Sequence, residues 1–263
     1  MENNVLMLGT GNAHATRCYN TCFVLYSKGG SVLLVDAGGG NGILTQLEKA
    51  SIPLEGIHDL FITHAHTDHL LGAVWLVRML LEEKCRLRVW SHRKVLDLLS
   101  EICRQTLPEK HVEGIGEIVT MNCLEDGDSF EVGDIRLQCF DIHSSKERQF
   151  GFKAFFPDGT SLCCLGDEPF SPKCLRYAEG AEWLMSEAFC LYEDREIFKP
   201  YEKSHSTALD AARLAEGLGV KNLILYHTED RTLETRKCRY TAEARTAFKG
   251  RVFVPEDLER ISL

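Results

Sequence analysis

Six consecutive residues, His64-Ala65-His66-Thr67-Asp68-His69, set three imidazoles and a carboxylate in a His-x-His-x-Asp-His pattern directly after the apolar run Leu60-Phe61-Ile62. Imidazole nitrogen and carboxylate oxygen suit zinc and its borderline neighbours, and four such groups crowded together without a cation repel one another or waste burial. The pattern predicts a metal site on the loop leaving a strand at Leu60 to Thr63. Three further polar groups stand where other apolar runs end: His143 after Cys139-Phe140-Asp141-Ile142, Asp167 after Cys164-Leu165-Gly166, and His227 after Ile224-Leu225-Tyr226. A strand that delivers a polar side chain at its exit is how an α/β scaffold presents ligands rigidly. If strand alternation continues into the cluster, His64, His66 and Asp68 share a side while His69 points away, so that one loop serves two ions.

Two divalent ions about 3.5 to 4 Å apart would lower the pKa of a shared water towards 7, leaving a bridging hydroxide as nucleophile, and would polarise the bond under attack. Zinc is the first expectation, and nitrogen and oxygen donors without cysteine also accept manganese or iron. Hydrolysis needs no other cofactor.

The elements that must hold these groups follow from apolar runs and turn residues. Strands are predicted at Val5 to Leu8, Cys22 to Tyr26 and Val32 to Val35, and a helix follows the glycine break Gly38-Gly39-Gly40, near Ile43 to Ala50. The spacing of Leu70, Val74, Val77 and Leu81 predicts a helix over His69 to Leu81, before a strand at Leu87 to Trp90 and a helix near Lys94 to Gln105. The second half carries strands at Ile135 to Ile142, Gly151 to Phe156, Ser161 to Leu165, Trp183 to Ser186, Asn222 to Tyr226 and Arg251 to Val254. Helices are predicted there at Thr207 to Leu218 and near Leu233 to Phe248. Strand runs followed by helices, twice over, predict an α/β, four-layer αββα sandwich: two mixed sheets face to face with helices outside. A chain of 263 residues suits one such domain over positions 1–263.

Composition sets the outer limits. The chain is 44% hydrophobic and 26% charged, an ordinary globular balance that excludes fibrous and disordered classes. No apolar run reaches a membrane span and the start Met1-Glu2-Asn3-Asn4 lacks the basic opening of a secretory signal, so a cytosolic protein without a membrane partner is expected. Eleven cysteines without a Cys-x-x-Cys pair read as reduced, mostly buried thiols. The net charge of −9 and the lack of a basic run argue against a large nucleic acid partner. Arg236, Lys237, Arg239, Arg245 and Lys249 alternate with Glu234 and Glu243 and read as a solvated helix face. His58, His92 and His111 read as surface or turn residues.

Taken together, the order of the cluster, His143, Gly166-Asp167 and His227 resembles the metallo-β-lactamase fold, from about Leu6 to Leu258. The resemblance implies that His64, His66 and His143 hold one metal, that Asp68, His69 and His227 hold the second, and that Asp167 bridges them. Asp36, in Leu34-Val35-Asp36-Ala37-Gly38, matches the family's early Asp, which supports the ligand loop. Ser204-His205-Ser206-Thr207 and Glu187, in Ser186-Glu187-Ala188-Phe189, are similar to the His-Ser-Thr segment and the preceding Glu motif of the ribonuclease Z group, the phosphodiesterase branch. That likeness implies that His205, oriented by Glu187, contacts the substrate phosphate and protonates the departing oxygen. Asp68 is counted with His205 and Glu187 among the catalytic residues.

Departures from the group are as informative. Only Ser144 to Gly166 separates His143 from Asp167, where ribonuclease Z inserts a transfer RNA-gripping arm, and Thr228-Glu229-Asp230 follows His227 where that group tends to have Phe-Ser. The expectation is therefore a dinuclear metallohydrolase acting on a small phosphodiester: a cyclic phosphate, a cyclic nucleotide or a short oligonucleotide. A thioester, lactone or sulfate ester hydrolase is the alternative within the fold, followed by transfer RNA 3′ processing. A metal- and nucleotide-binding protein without turnover is the alternative outside enzymes. A homodimer is implied by the same resemblance. His14 lies in a glycine-containing loop near the expected pocket mouth, and Leu191 to Lys203 reads equally as a lid or a packed loop.

Overall fold

In the computed structural model, which describes residues 2–263, apolar strands begin almost at the N-terminus. The first half runs β1 (Asn4–Gly9), β2 (Cys22–Tyr26), β3 (Val32–Val35), α1 (Gly42–Lys49), β4 (Asp59–Phe61) and α2 (Thr67–Glu82). It continues with β5 (Leu87–Ser91), α3 (Arg93–Thr106), α4 (Glu109–Val112) and β6 (Val119–Cys123). The second half holds β7 (Ser129–Val132), β8 (Ile135–Asp141), β9 (Phe150–Phe155), β10 (Ser161–Cys164), α5 (Leu175–Ala178) and β11 (Trp183–Glu187). After α6 (Arg195–Phe198) and α7 (Ala208–Leu218) come β12 (Asn222–Tyr226), α8 (Leu233–Ala244), β13 (Arg251–Phe253) and β14 (Arg260–Ser262).

Among the described residues these strands form two seven-stranded mixed sheets, ordered β14-β1-β2-β3-β4-β5-β6 and β13-β12-β11-β10-β9-β8-β7. Alternation along each strand explains why the runs are apolar throughout. In β1, Val5 and Met7 enter the core between the sheets, while Leu6 and Leu8 face the helical layer of α1, α2 and α3. In β12, Ile224 and Tyr226 face the other sheet, while Leu223 and Leu225 pack against the layer containing α7 and α8. Strands covered on both faces need no polar face, so their sequences lose alternation. Three stacked cores give the expected four-layer αββα sandwich, the metallo-β-lactamase architecture. Cys163 and Cys164 divide in the same way, one to each side of β10.

All eleven cysteines are free, and seven are buried. No helix among the described residues is long and apolar enough to cross a membrane. Two readings need correction. Arg236 is not on a solvated face: it is buried, donating to Thr228 Oγ1 at 2.7 Å, Thr10 Oγ1 at 3.1 Å and the Pro255 carbonyl at 3.0 Å. The register of α8 turns this one arginine inward, where three oxygen acceptors offset its desolvation. His92 and His111 are buried too, and the His92 ring meets the Phe150 ring edge-on at 5.2 Å.

Helix α2 carries part of the His/Asp cluster, and one glycine sets its depth. A Cβ on Gly72 would lie 1.8 Å from the Ala37 carbonyl oxygen, and Gly72 donates its own N–H to the Gly38 carbonyl at 2.8 Å. Gly72→Ala is expected to destabilise the fold by about 1 to 3 kcal/mol through overpacking. At roughly 2 to 4 °C per kcal/mol for a chain of this size, the calorimetric Tm should fall by several degrees. An unchanged Tm contradicts this packing.

Candidate metal centre

The C-terminal ends of strands from both sheets meet at one rim. Strand β4 leads to His64 and His66, β3 to Asp36, β10 to Asp167 and β12 to His227. The strand of the first ligand motif stops at Phe61, and helix α2 begins at Thr67, so Asp68 and His69 lie in its first turn. The expected alternation therefore fails. Helical geometry turns both inward, and His69 Nε2 lies 3.3 Å from Asp68 Oδ2.

Asp36 organises the inner wall. Its Oδ1 accepts the Thr63 N–H and its Oδ2 accepts the Thr63 hydroxyl, each at 2.8 Å, while His69 Nδ1 donates to Oδ2 at 2.7 Å. That bond fixes the orientation of the His69 ring and turns Nε2 into the site. The Thr63 hydroxyl also lies 2.8 Å from His64 Nδ1, so the same carboxylate steadies a second ring. Asp36 thus braces the segment from Thr63 to His69, as the resemblance implied.

Asp167 sits at the centre. Its Oδ2 lies 3.5 Å from His64 Nε2, 3.6 Å from His69 Nε2 and 3.6 Å from His227 Nε2, and His227 Nε2 is 3.5 Å from Asp68 Oδ2. His64, Asp68, His69, Asp167 and His227 are all buried. Burial drives the His64 imidazole well below its ordinary pKa and keeps it a neutral base. Burial opposes charge on His69 as well, but Asp68 and Asp36 together outweigh it and raise its pKa well above the usual value. Against the same desolvation, the surrounding imidazoles hold the Asp68 and Asp167 carboxyls below the usual carboxylate range.

These donors fit divalent cations. The ligand atoms of His64, His69 and Asp167 lie within 4.8 Å of one another, and so do those of Asp68, His69 and His227. Among the described residues, His69 Nε2, Asp167 Oδ1 and both ring nitrogens of His227 are buried without a hydrogen-bond partner. Buried polar atoms left so are costly unless a partner such as a cation takes them.

One expected donor stands apart. His143 is exposed and joins no donor group, because β8 ends at Asp141, whose carboxylate accepts the His143 N–H at 2.7 Å, and the chain turns through left-handed backbone at His143 (φ 59°). The place beside His64 and His66 is taken by Glu147, with Oε1 3.6 Å from His66 Nε2; His64 Nε2 and His66 Nδ1 are 2.8 Å apart. Glu147 lies in the polar loop Ser144-Ser145-Lys146-Glu147, where no pattern singles it out.

A cavity of about 510 Å³ opens over the cluster, within the usual range for small-molecule sites. His66, Asp68, Asp167 and His227 form its floor; His205, Phe189, Lys146, Lys203, Asn12 and His14 stand around it. The His205 ring stacks on Phe189 at 4.8 Å, and its Nδ1 lies 3.6 Å from Glu187 Oε2. Glu187 is fixed from its other oxygen, which accepts the Ser206 N–H at 2.5 Å and the Ser206 hydroxyl at 2.6 Å. Thr207 caps α7 in a reciprocal pair with Asp210, so capping is the work of Thr207 and leaves His205 free for the cavity. The cavity lysines escaped the sequence reading, because lone lysines in polar loops look solvated.

The fold and donor set define a metal-dependent phosphodiesterase of the ribonuclease Z-like branch of the metallo-β-lactamase fold. A family model described as Anti-Pycsar protein Apyc1 matches residues 3–253, and the chain belongs to that family. It is 25% identical to the ribonuclease Z of Gemmatimonas aurantiaca over 313 aligned positions, covering 97% of this chain and 94% of that protein. A shorter segment of 68 residues is 38% identical to the Anti-Pycsar protein Apyc1 of Bacillus phage BSP38, covering 26% of each chain. The crystal structure of the metallo-β-lactamase fold protein YhfI from Bacillus subtilis superposes with a TM-score of 0.77 at 19% identity, over 99% of both chains.

Asp36→Asn replaces one of the carboxylate oxygens with a donor, so it must break at least one of these contacts. It is expected to weaken metal retention by about 10- to 100-fold, the usual cost of losing a group that orients a ligand. Competition dialysis against a chelator measures it, and wild-type retention contradicts the role given to Asp36.

Proposed function

We propose that this chain hydrolyses cyclic nucleotides, opening the cyclic phosphodiester with the help of two divalent cations. The observation that carries the reading is the single cavity in which the donor cluster and His205 face the same space. The family to which the chain belongs degrades cyclic nucleotides, which supports the choice within the phosphodiester class. The stretch between His143 and Asp167 is only a loop and the β9–β10 hairpin, so nothing there extends to grip a large RNA.

His64, His66 and Asp167 would hold one cation, with the loop from His143 to Glu147 closing that side. Asp68, His69, His227 and Asp167 would hold the other. When bound, the pair supplies an activated water and polarises the phosphoryl group. Zinc suits the donor set, which also accepts manganese or iron.

The chain's own residues do the rest. Lys146 and Lys203, both in the lining of the cavity, attract and orient the phosphate charge. Glu187 faces His205 Nδ1 and orients the ring, which leaves Nε2 to give a proton to the departing ribose oxygen. Phe189 keeps the ring in plane for that transfer.

Removal of divalent ions by a chelator should abolish turnover of a cyclic nucleotide, and zinc or manganese should restore it. In the reconstituted protein, His205→Ala should cut kcat by about 10²-fold or more, the range for loss of a general acid, with metal content unchanged. Wild-type kcat in that variant, or turnover of thioesters in preference to every cyclic phosphate, contradicts the proposal.

A further inference from the structure

A second cavity of about 330 Å³ adjoins the first and shares Asn12, His14, Phe189 and Lys203 with it. Its far side is made by Phe198 from α6 and by the segment Glu229-Asp230-Arg231 that follows the His227 ligand. The two carboxylates there are engaged by the chain itself. Glu229 Oε2 accepts the N–H groups of Arg231 at 2.6 Å and Thr232 at 3.1 Å, and Asp230 Oδ2 accepts those of Thr16 at 2.6 Å and Arg17 at 2.8 Å. What remains for a ligand is the half-buried Phe198 ring with the Arg231 guanidinium 5.6 Å from its centroid. On the shared wall, Lys203 Nζ lies 4.9 Å from the Phe189 ring.

We infer that this second cavity is a nucleobase subsite in which Phe198 carries the base by stacking and Arg231 donates to its ring nitrogens and exocyclic oxygens. The inference rests on the proposed cyclic nucleotide activity and adds the part of the substrate that the metal cavity does not read. The phosphate and ribose of a cyclic nucleotide are one rigid unit, so seating the phosphate on the donor floor forces the base outward through a neighbouring opening. The shared wall makes this cavity such an opening. An aromatic face with cationic donors beside it attracts any flat heterocycle, because every base has a π-face and stacking is tolerant of sequence. The contact that carries the base is the Phe198 face, and stacking is tolerant of which base it holds. The subsite therefore favours a base over none and discriminates weakly among bases. Phe198 and Arg231 act here as specificity-determining residues remote from the bond that breaks.

The test compares kcat/KM on a 3′,5′-cyclic nucleotide with that on a cyclic ribose phosphate lacking a base, using metal-loaded protein. The wild type should prefer the nucleotide. Phe198→Ala should lower kcat/KM for the nucleotide by about tenfold, mainly through KM, and leave the base-free substrate within about twofold, as loss of one stacking contact requires. Phe198→Trp, which restores a flat face, should recover the preference and guards against a folding defect in the alanine variant. Equal loss on both substrates, or loss on neither, overturns the subsite while leaving the cyclic nucleotide reading intact. A wild type that opens the base-free phosphate but no cyclic nucleotide overturns both.

Discussion

Asp167 lies within 3.6 Å of three buried imidazoles, and Asp68 lies within 3.5 Å of two of them. This convergence of lone pairs governs the structure around it. Burying such groups costs roughly 1 to 3 kcal/mol for each polar atom left unpaired, and more where charge is involved. A fold carries that cost only where its strands already deliver the residues to one place. Here the ends of β3, β4, β10 and β12 do so. Asp36 and His227 sit there in left-handed backbone, φ 55° and 56°, a conformation that costs non-glycine residues of order 1 to 3 kcal/mol each. Strain and unpaired donors gathered at one rim are the physical mark of a site built for a charged guest.

The same arrangement divides the labour of the proposed reaction. The inner wall is braced, since Asp36 ties His69 directly and His64 through Thr63. The His205 wall hangs on a separate element, the link between β11 and α7, with Glu187 bonded to Ser206 rather than to any floor residue. Water activation and proton donation thus depend on different parts of the fold. The buried Arg236 joins the Thr10 and Thr228 loops, so the helical layer of α8 also helps to set the position of His227.

Much of this was legible in the chain. Central strands such as β2, β3 and β12 match their predicted bounds, because strands buried on both faces leave continuous apolar runs. The strands missed were β6, β7 and β14, three of the four at sheet edges. Edge strands are short and half polar: the residues of β7 alternate between exposed and buried over only four positions. Within the site, the motif order located the floor donors and the His205–Glu187 pair. It could not tell that α2 starts early enough to carry Asp68 and His69. Nor could it see that the turn after β8 sets His143 outward and brings Glu147 beside His66. Those outcomes depend on loop conformation, which leaves no periodic trace.

Metal stoichiometry tests the central claim most directly. Chelator-stripped protein, dialysed against zinc or manganese and assayed by mass spectrometry of the native chain, should take up two ions. Asp167→Ala should reduce that number, because this carboxylate serves both positions. A chain that binds no ion at this rim, or whose uptake is indifferent to the loss of Asp167, contradicts the account.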